Sequence, residues 1–111
     1  MKIINRIKAN DDFATTIKKG KAQRNQSYVI HYCANSLTHT RVGISVSSKL
    51  GNAVVRNHIK RQIRSMCDSF IEYDNYAFDI VIIAKQGFLN NSYDDNKESL
   101  NKLLNFVDRK N

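Results

Sequence analysis

The sequence predicts a single α+β domain, and three observations carry that reading. At 111 residues the chain can build one modest hydrophobic core but not two. Segments 27–33, 41–47 and 78–84 are rich in β-branched and aromatic residues and have the length of strands. Segments near 10–20, 52–70 and 92–109 instead repeat apolar residues at helical spacing. A small sheet packed with about three helices accounts for all six.

The elements follow in chain order. Asn10-Asp11-Asp12-Phe13 reads as a helix start, with Asn10 as cap and the two acids complementing the positive end of the helix dipole. That helix would carry Phe13, Ala14 and Ile17 on one side and end near Gly20. Ser27-Tyr28-Val29-Ile30-His31-Tyr32-Cys33 is strand-like, and the alternation in Arg41-Val42-Gly43-Ile44-Ser45-Val46-Ser47 is clearer still. From 52 to 70, Val55, Ile59, Ile63, Met66, Cys67 and Phe70 form a stripe that predicts a helix packed on the core. Phe78-Asp79-Ile80-Val81-Ile82-Ile83-Ala84 is a more continuous apolar run, as in a central strand buried on both faces. The closing helix, 92–109, has Leu100, Leu103, Leu104 and Val107 on one stripe and Asp94 and Asp95 in its first turn.

Charge is distributed unevenly. Between Asp12 and Asp68 there is no acidic residue, while ten lysines and arginines fall in those 55 positions. Residues 68–111 sum to −3 and residues 1–12 to +1, so the formal charge of +8 arises from one contiguous block. A field this concentrated suits a polyanion, because exposed charges more than ~10 Å apart are screened from one another. On the 52–70 helix, Arg56, Lys60 and Arg64 follow one another at i, i+4, with Asn57 and Arg61 on the adjacent ridge. Like charges at that spacing disfavour the isolated helix by a few tenths of a kcal/mol per pair, about the amount that interleaved glutamates would restore. A basic helix face is in general only a solvated face, but unrelieved repulsion is out of place on a surface shaped for stability alone.

Other classes of function find little support. No apolar run approaches the roughly 20 residues that span a bilayer. A basic amphipathic helix could bind an anionic membrane, but the 52–70 helix needs its apolar stripe for the core and has none left to insert. The first residues, Met1-Lys2-Ile3-Ile4-Asn5-Arg6, lack the apolar stretch of a secretory signal. Cys33 and Cys67 stand apart and read as reduced, packed thiols, so the expected location is cytoplasmic. His31, Cys33 and His39 fit no common zinc spacing. There is no nucleophile–base motif, phosphate-binding glycine loop or acidic two-metal cluster, and hence no expected catalytic residue or protein-bound cofactor.

The string from Arg41 to Arg64 closely resembles the signature of the bacterial ribonuclease P protein component. The strand 41–47 leads into the turn Lys49-Leu50-Gly51-Asn52-Ala53, and the helix opens with Arg56-Asn57-His58 before Lys60, Arg61 and Arg64. Asn10-x-x-Phe13 is similar to the family's first helix, Tyr28-Val29-Ile30 to its first strand and 78–84 to its late strand. The likeness therefore spans the chain as one domain, 1–111. It implies an α/β sandwich with a mixed sheet, like the second domain of a small-subunit ribosomal protein, and a left-handed βαβ crossover. Sequence reasoning alone would expect a right-handed one, since about 98% of such connections are.

The resemblance also implies a partner and a division of labour. A catalytic RNA with Mg²⁺ hydrolyses the bond joining the 5′ leader to precursor tRNA, while the protein docks on that RNA and holds the leader. No obligate protein partner is expected. Carried over residue by residue, Arg56, Asn57, His58, Lys60, Arg61 and Arg64 meet the catalytic RNA, with Lys49 and Arg41 as further candidates. At the Gly51-Asn52 turn the backbone could approach phosphate closely. Phe13, Ile17, His31 and Tyr28 map onto a leader-binding cleft between the first helix and the sheet. Phe13 suits a core position as well as a stacking platform. Tyr28 and His31 differ by three and so fall on opposite faces of a regular strand, which favours His31 for the cleft. His58 departs from the family's arginine and lacks its fixed charge and planar fork; it either weakens one RNA contact or turns toward the sheet. The competing reading is a structural RNA-binding protein of ribosomal type with no role in tRNA processing.

Overall fold

The computed structural model describes residues 1–108; Arg109, which the closing helix was expected to reach, lies outside them. Helix α1 (Asn10–Lys19) precedes strands β1 (Lys21–Arg24), β2 (Tyr28–Ala34) and β3 (Arg41–Val46). Helix α2 (Ala53–Phe70), strand β4 (Phe78–Ala84) and helix α3 (Tyr93–Asp108) complete the chain. The sheet order is β1-β2-β4-β3, with β1 and β4 antiparallel to β2, and β3 parallel to β4. The mixed α+β architecture is the expected one.

Alternation along β2 divides the molecule into two layers. Tyr28, Ile30 and Tyr32 point into one side, where Ile80 and Ile82 of β4 and Val42 of β3 join them. Ile59, Ile63, Met66 and Cys67 of α2 and Leu100, Leu103, Leu104 and Val107 of α3 close that core. Each aliphatic side chain fully buried there stabilises the fold by about 1.5–3 kcal/mol. The stripes read from α2 and α3 are thus largely the buried ones. Val55 is the exception: it is 37% exposed and packs against Gly51 at the solvated start of its helix.

The opposite face of the sheet carries α1. Phe13 lies directly over Gly43, where an added Cβ would come within 2.4 Å of the ring. Thr16 is buried, its hydroxyl donating to the Asp12 carbonyl at 2.9 Å. The helix therefore rests on Phe13 and Thr16, whereas Ala14 and Ile17 face outward, unlike the expected Phe13, Ala14 and Ile17 side. Nor does Asn10 cap it. The N-cap is Ala9, with no side-chain hydrogen bond, and Asn10 is already helical. Asp11 and Asp12 remain in the first turn as the dipole argument expects.

Strand β1 was not anticipated. Its four residues, Lys21-Ala22-Gln23-Arg24, are mostly exposed and lack an apolar rhythm, and they become a strand because β2 offers them an edge. Asn25 turns the chain by accepting from the Ser27 and Tyr28 amides, each at 3.0 Å.

Candidate nucleic-acid interface

Helix α2 is launched by a turn that needs its particular residues. Gly51 has φ +155, in the region that favours glycine, and a Cβ there would lie 2.7 Å from Val55. Asn52 then caps α2, its side-chain oxygen accepting from the Val55 amide at 3.0 Å. The first-turn amides of Ala53 and Val54, which have no carbonyl inside the helix to bond, are left on an exposed surface. Amides so placed at the positive end of a helix attract anions.

The cations of α2 flank its buried stripe, with Arg56, Lys60 and Arg64 adjoining it and Asn57, His58 and Arg61 farther round the helix. Asn57, His58 and Arg61 are exposed; Arg56, Lys60 and Arg64 are half-buried along their stems, as long cationic side chains commonly are. His58 therefore points to solvent, not to the sheet. Among the described residues no ion pair engages Lys49, Arg56, Lys60, Arg61 or Arg64. The Arg56 Nε is buried without a hydrogen-bond partner.

Arg41 is different. Its Nε donates to Asp79 Oδ1 at 3.0 Å and its Nη2 to Asp79 Oδ2 at 2.7 Å, a bidentate pair, while Nη1 reaches Asp12 Oδ2 at 3.3 Å. The hydrogen bond to Asp79 raises its pKa further. A guanidinium held by two carboxylates is a strut between α1 and the sheet, its charge countered within the fold.

On the α1 side, paired residues line up across the strands as Ala22, His31, Val81 and Gly43. This row lies under α1, where the leader-binding cleft was expected, and the Phe13 ring covers Gly43; Ile17, one turn further along α1, is 40% exposed. His31 is half-buried there; burial and then the Arg24 charge lower its pKa, and its Nδ1 has no partner. Tyr28 does not belong to this cleft. It is fully buried on the opposite face, its hydroxyl donating to the Asn96 carbonyl at 3.0 Å and its ring meeting Phe88 edge-on at 5.7 Å. Burial pushes its pKa well up.

A third feature was not read from the sequence. Arg6, Lys60 and Arg64 line a groove of about 290 Å³ with Phe13, Gly43 and Ile44. Two residues of one helix, one of an N-terminal segment and one of another helix meet there across the β3 edge. Only the α2 pair had a periodic signal.

A family model described as Ribonuclease P matches residues 1–108. The chain belongs to the ribonuclease P protein family. Its similarity to the ribonuclease P protein component of Mesoplasma florum is 48% identity over 99 residues, 88% of this chain and 90% of that protein. To the Bacillus cereus component it is 41% identical over 101 residues, 90% and 88% of the two chains. The solved RNase P protein of Staphylococcus aureus superposes with a TM-score of 0.82 at 41% identity, covering 93% of this chain and 94% of that one. That of Thermotoga maritima superposes at 0.74 with 30% identity, over 88% and 94%. The α+β architecture is thus that of solved RNase P proteins.

Proposed function

We propose that this chain is the protein subunit of a cytoplasmic ribonucleoprotein endonuclease that removes 5′ leaders from precursor tRNA. In this reading the α2 face docks on the catalytic RNA, and the cleft between α1 and the sheet holds the single-stranded leader. The observation that carries it is the set of unneutralised cations on α2, all of them within the stretch that resembles the family signature. Basic side chains on one helix face displace condensed counterions from RNA and bind it with strong salt dependence. Phe13 and the floor of the cleft offer apolar and aromatic surface for unpaired bases.

The chemistry is assigned to the RNA. The described residues contain no group of three histidine, cysteine or carboxylate side chains able to hold a metal ion. In this reading Mg²⁺ belongs to the RNA. The protein contributes affinity and position, favouring precursor over product by gripping the part that only the precursor carries.

Reconstitution with a bacterial ribonuclease P RNA at low Mg²⁺, following leader removal, tests the reading. The expected result is faster cleavage than by the RNA alone. Equal rates with and without saturating protein would reject it.

A further inference from the structure

The groove at the β3 edge has an unusual composition for a structural hollow. Arg6, Lys60 and Arg64 bring three positive charges to about 290 Å³, and no acidic side chain lines it. The grooves nearby differ: one is lined by Asp68 and Asp74, the other by Asp12 and Asp79. None of the three cations takes part in an ion pair among the described residues. Three like charges around one small volume repel, and a bound anion would relieve them.

Arg6 is also held in place before any ligand arrives. Its neighbour Ile7 is buried and donates its amide to the Val42 carbonyl at 3.0 Å, adding a short parallel bridge to the β3 edge. Asn5, itself buried, donates its side-chain amide to the Thr40 carbonyl at 2.9 Å. The Arg6 side chain is free and exposed on a segment whose backbone is anchored on both sides. Such preorganisation reduces the entropy lost on binding.

We infer that this groove is a phosphate seat in which Arg6, Lys60 and Arg64 together hold one phosphodiester of the catalytic RNA. The inference rests on the RNA-docking role proposed for α2 and extends that surface around the sheet edge onto the N-terminal segment. Two of its three cations belong to the α2 face, which is why the phosphate comes from the docked RNA and not from the leader. Because Phe13 walls both this groove and the cleft, RNA seated here also buttresses the leader-binding side of α1.

The test is a double-substitution cycle on the intact protein with Arg6→Gln, Arg64→Gln, both together, and Lys8→Gln as an exposed neighbour that does not line the groove. Affinity for the catalytic RNA alone is measured across salt. Each arginine substitution should weaken binding about fivefold near 0.15 M salt, and the two together should flatten the log–log slope by at most about 0.7–0.9, the share of one phosphate. The double variant should lose only about tenfold, because both side chains hold one phosphate. Lys8→Gln should bind as the unsubstituted protein does. Arg6→Gln behaving like Lys8→Gln would overturn the inference, as would additive losses of about 25-fold in the double variant. Undiminished affinity for the catalytic RNA with a loss confined to precursor over mature tRNA would give the groove to the leader and overturn it too. Failure of the docking role itself is separately visible, since the unsubstituted protein would then not bind the RNA.

Discussion

Arg41 and Arg64 come from the same acid-free stretch of sequence, yet they meet opposite fates. Arg41 is paired with Asp79 and Asp12; Arg64 takes part in no ion pair among the described residues and faces a groove without acids. Neither of the carboxylates that hold Arg41 lies within the stretch. They are brought to it by α1 and by the parallel register that sets Arg41 opposite Asp79. Absence of acid along the chain is therefore not absence in space. Cations on a solvated helix face have no strand register to bring carboxylates to them and keep their charge for a partner.

The largest expected effect breaks the binding side of this comparison. Replacing Arg56, Lys60 and Arg64 together with alanine should lower affinity for the catalytic RNA about a hundredfold at 0.15 M salt. A slope near −4, expected for ~5 neutralised phosphates, should flatten by about one to two units. Stability should hold or rise by a few tenths of a kcal/mol as i, i+4 repulsion disappears. An unchanged salt slope would place the RNA surface elsewhere.

Arg41→Met should do the reverse. Asp79, whose side chain is 10% exposed, would be left as a poorly solvated charge. Removing one partner of a buried pair costs about 3–5 kcal/mol; with Arg41 21% exposed, about 2 kcal/mol is expected here. Urea unfolding measures it, and the RNA salt slope of the folded variant should match that of the unsubstituted protein. A flattened slope with unchanged stability would place Arg41 on the RNA-binding surface.

These two arginines also show what the sequence could and could not convey. Apolar periodicity located α2, α3 and β4 to within a residue or so over the described range, because burial on one face leaves a record in residue order. β1 left no such record; an exposed four-residue edge strand is defined by the neighbour it pairs with. The same holds for the Arg41 pairing, which depends on register, and for Arg6, which is brought to the groove by its own parallel bridge to Val42. Tyr28 is the intermediate case. Alternation already separated it from His31, but only the packing of α3 shows which face is sealed. On α1 the fully buried position went to Thr16, a polar residue satisfied by its own helix, while Ile17 stays 40% exposed.

Phe13→Leu sharpens the comparison within the second surface. Leucine still fills the space over Gly43 but removes the aromatic face. Preference for precursor over mature tRNA should fall by about 1–2 kcal/mol, the scale of one base–aromatic stack, with affinity for the catalytic RNA unchanged. Equal losses for both tRNAs would make Phe13 a packing residue only.

The smallest effect concerns His31. Burial, and after it the Arg24 charge, holds its pKa below the ordinary value of 6.5. The unfolded chain therefore takes up a proton near pH 6.5 that the folded protein accepts only at lower pH. Stability from this source is full above pH 6.5 and falls as pH drops through that value toward the folded pKa. His31→Gln should flatten that part of the stability profile. The same imidazole can report on the cleft, because a leader oligonucleotide would bring phosphates close to a site where Arg24 is the charged neighbour lowering its pKa. Followed by NMR titration, the His31 pKa should rise when a single-stranded leader binds. If it stays where it is while the oligonucleotide is bound, the leader does not run over this face of the sheet, and the cleft assignment fails while the α2 surface stands.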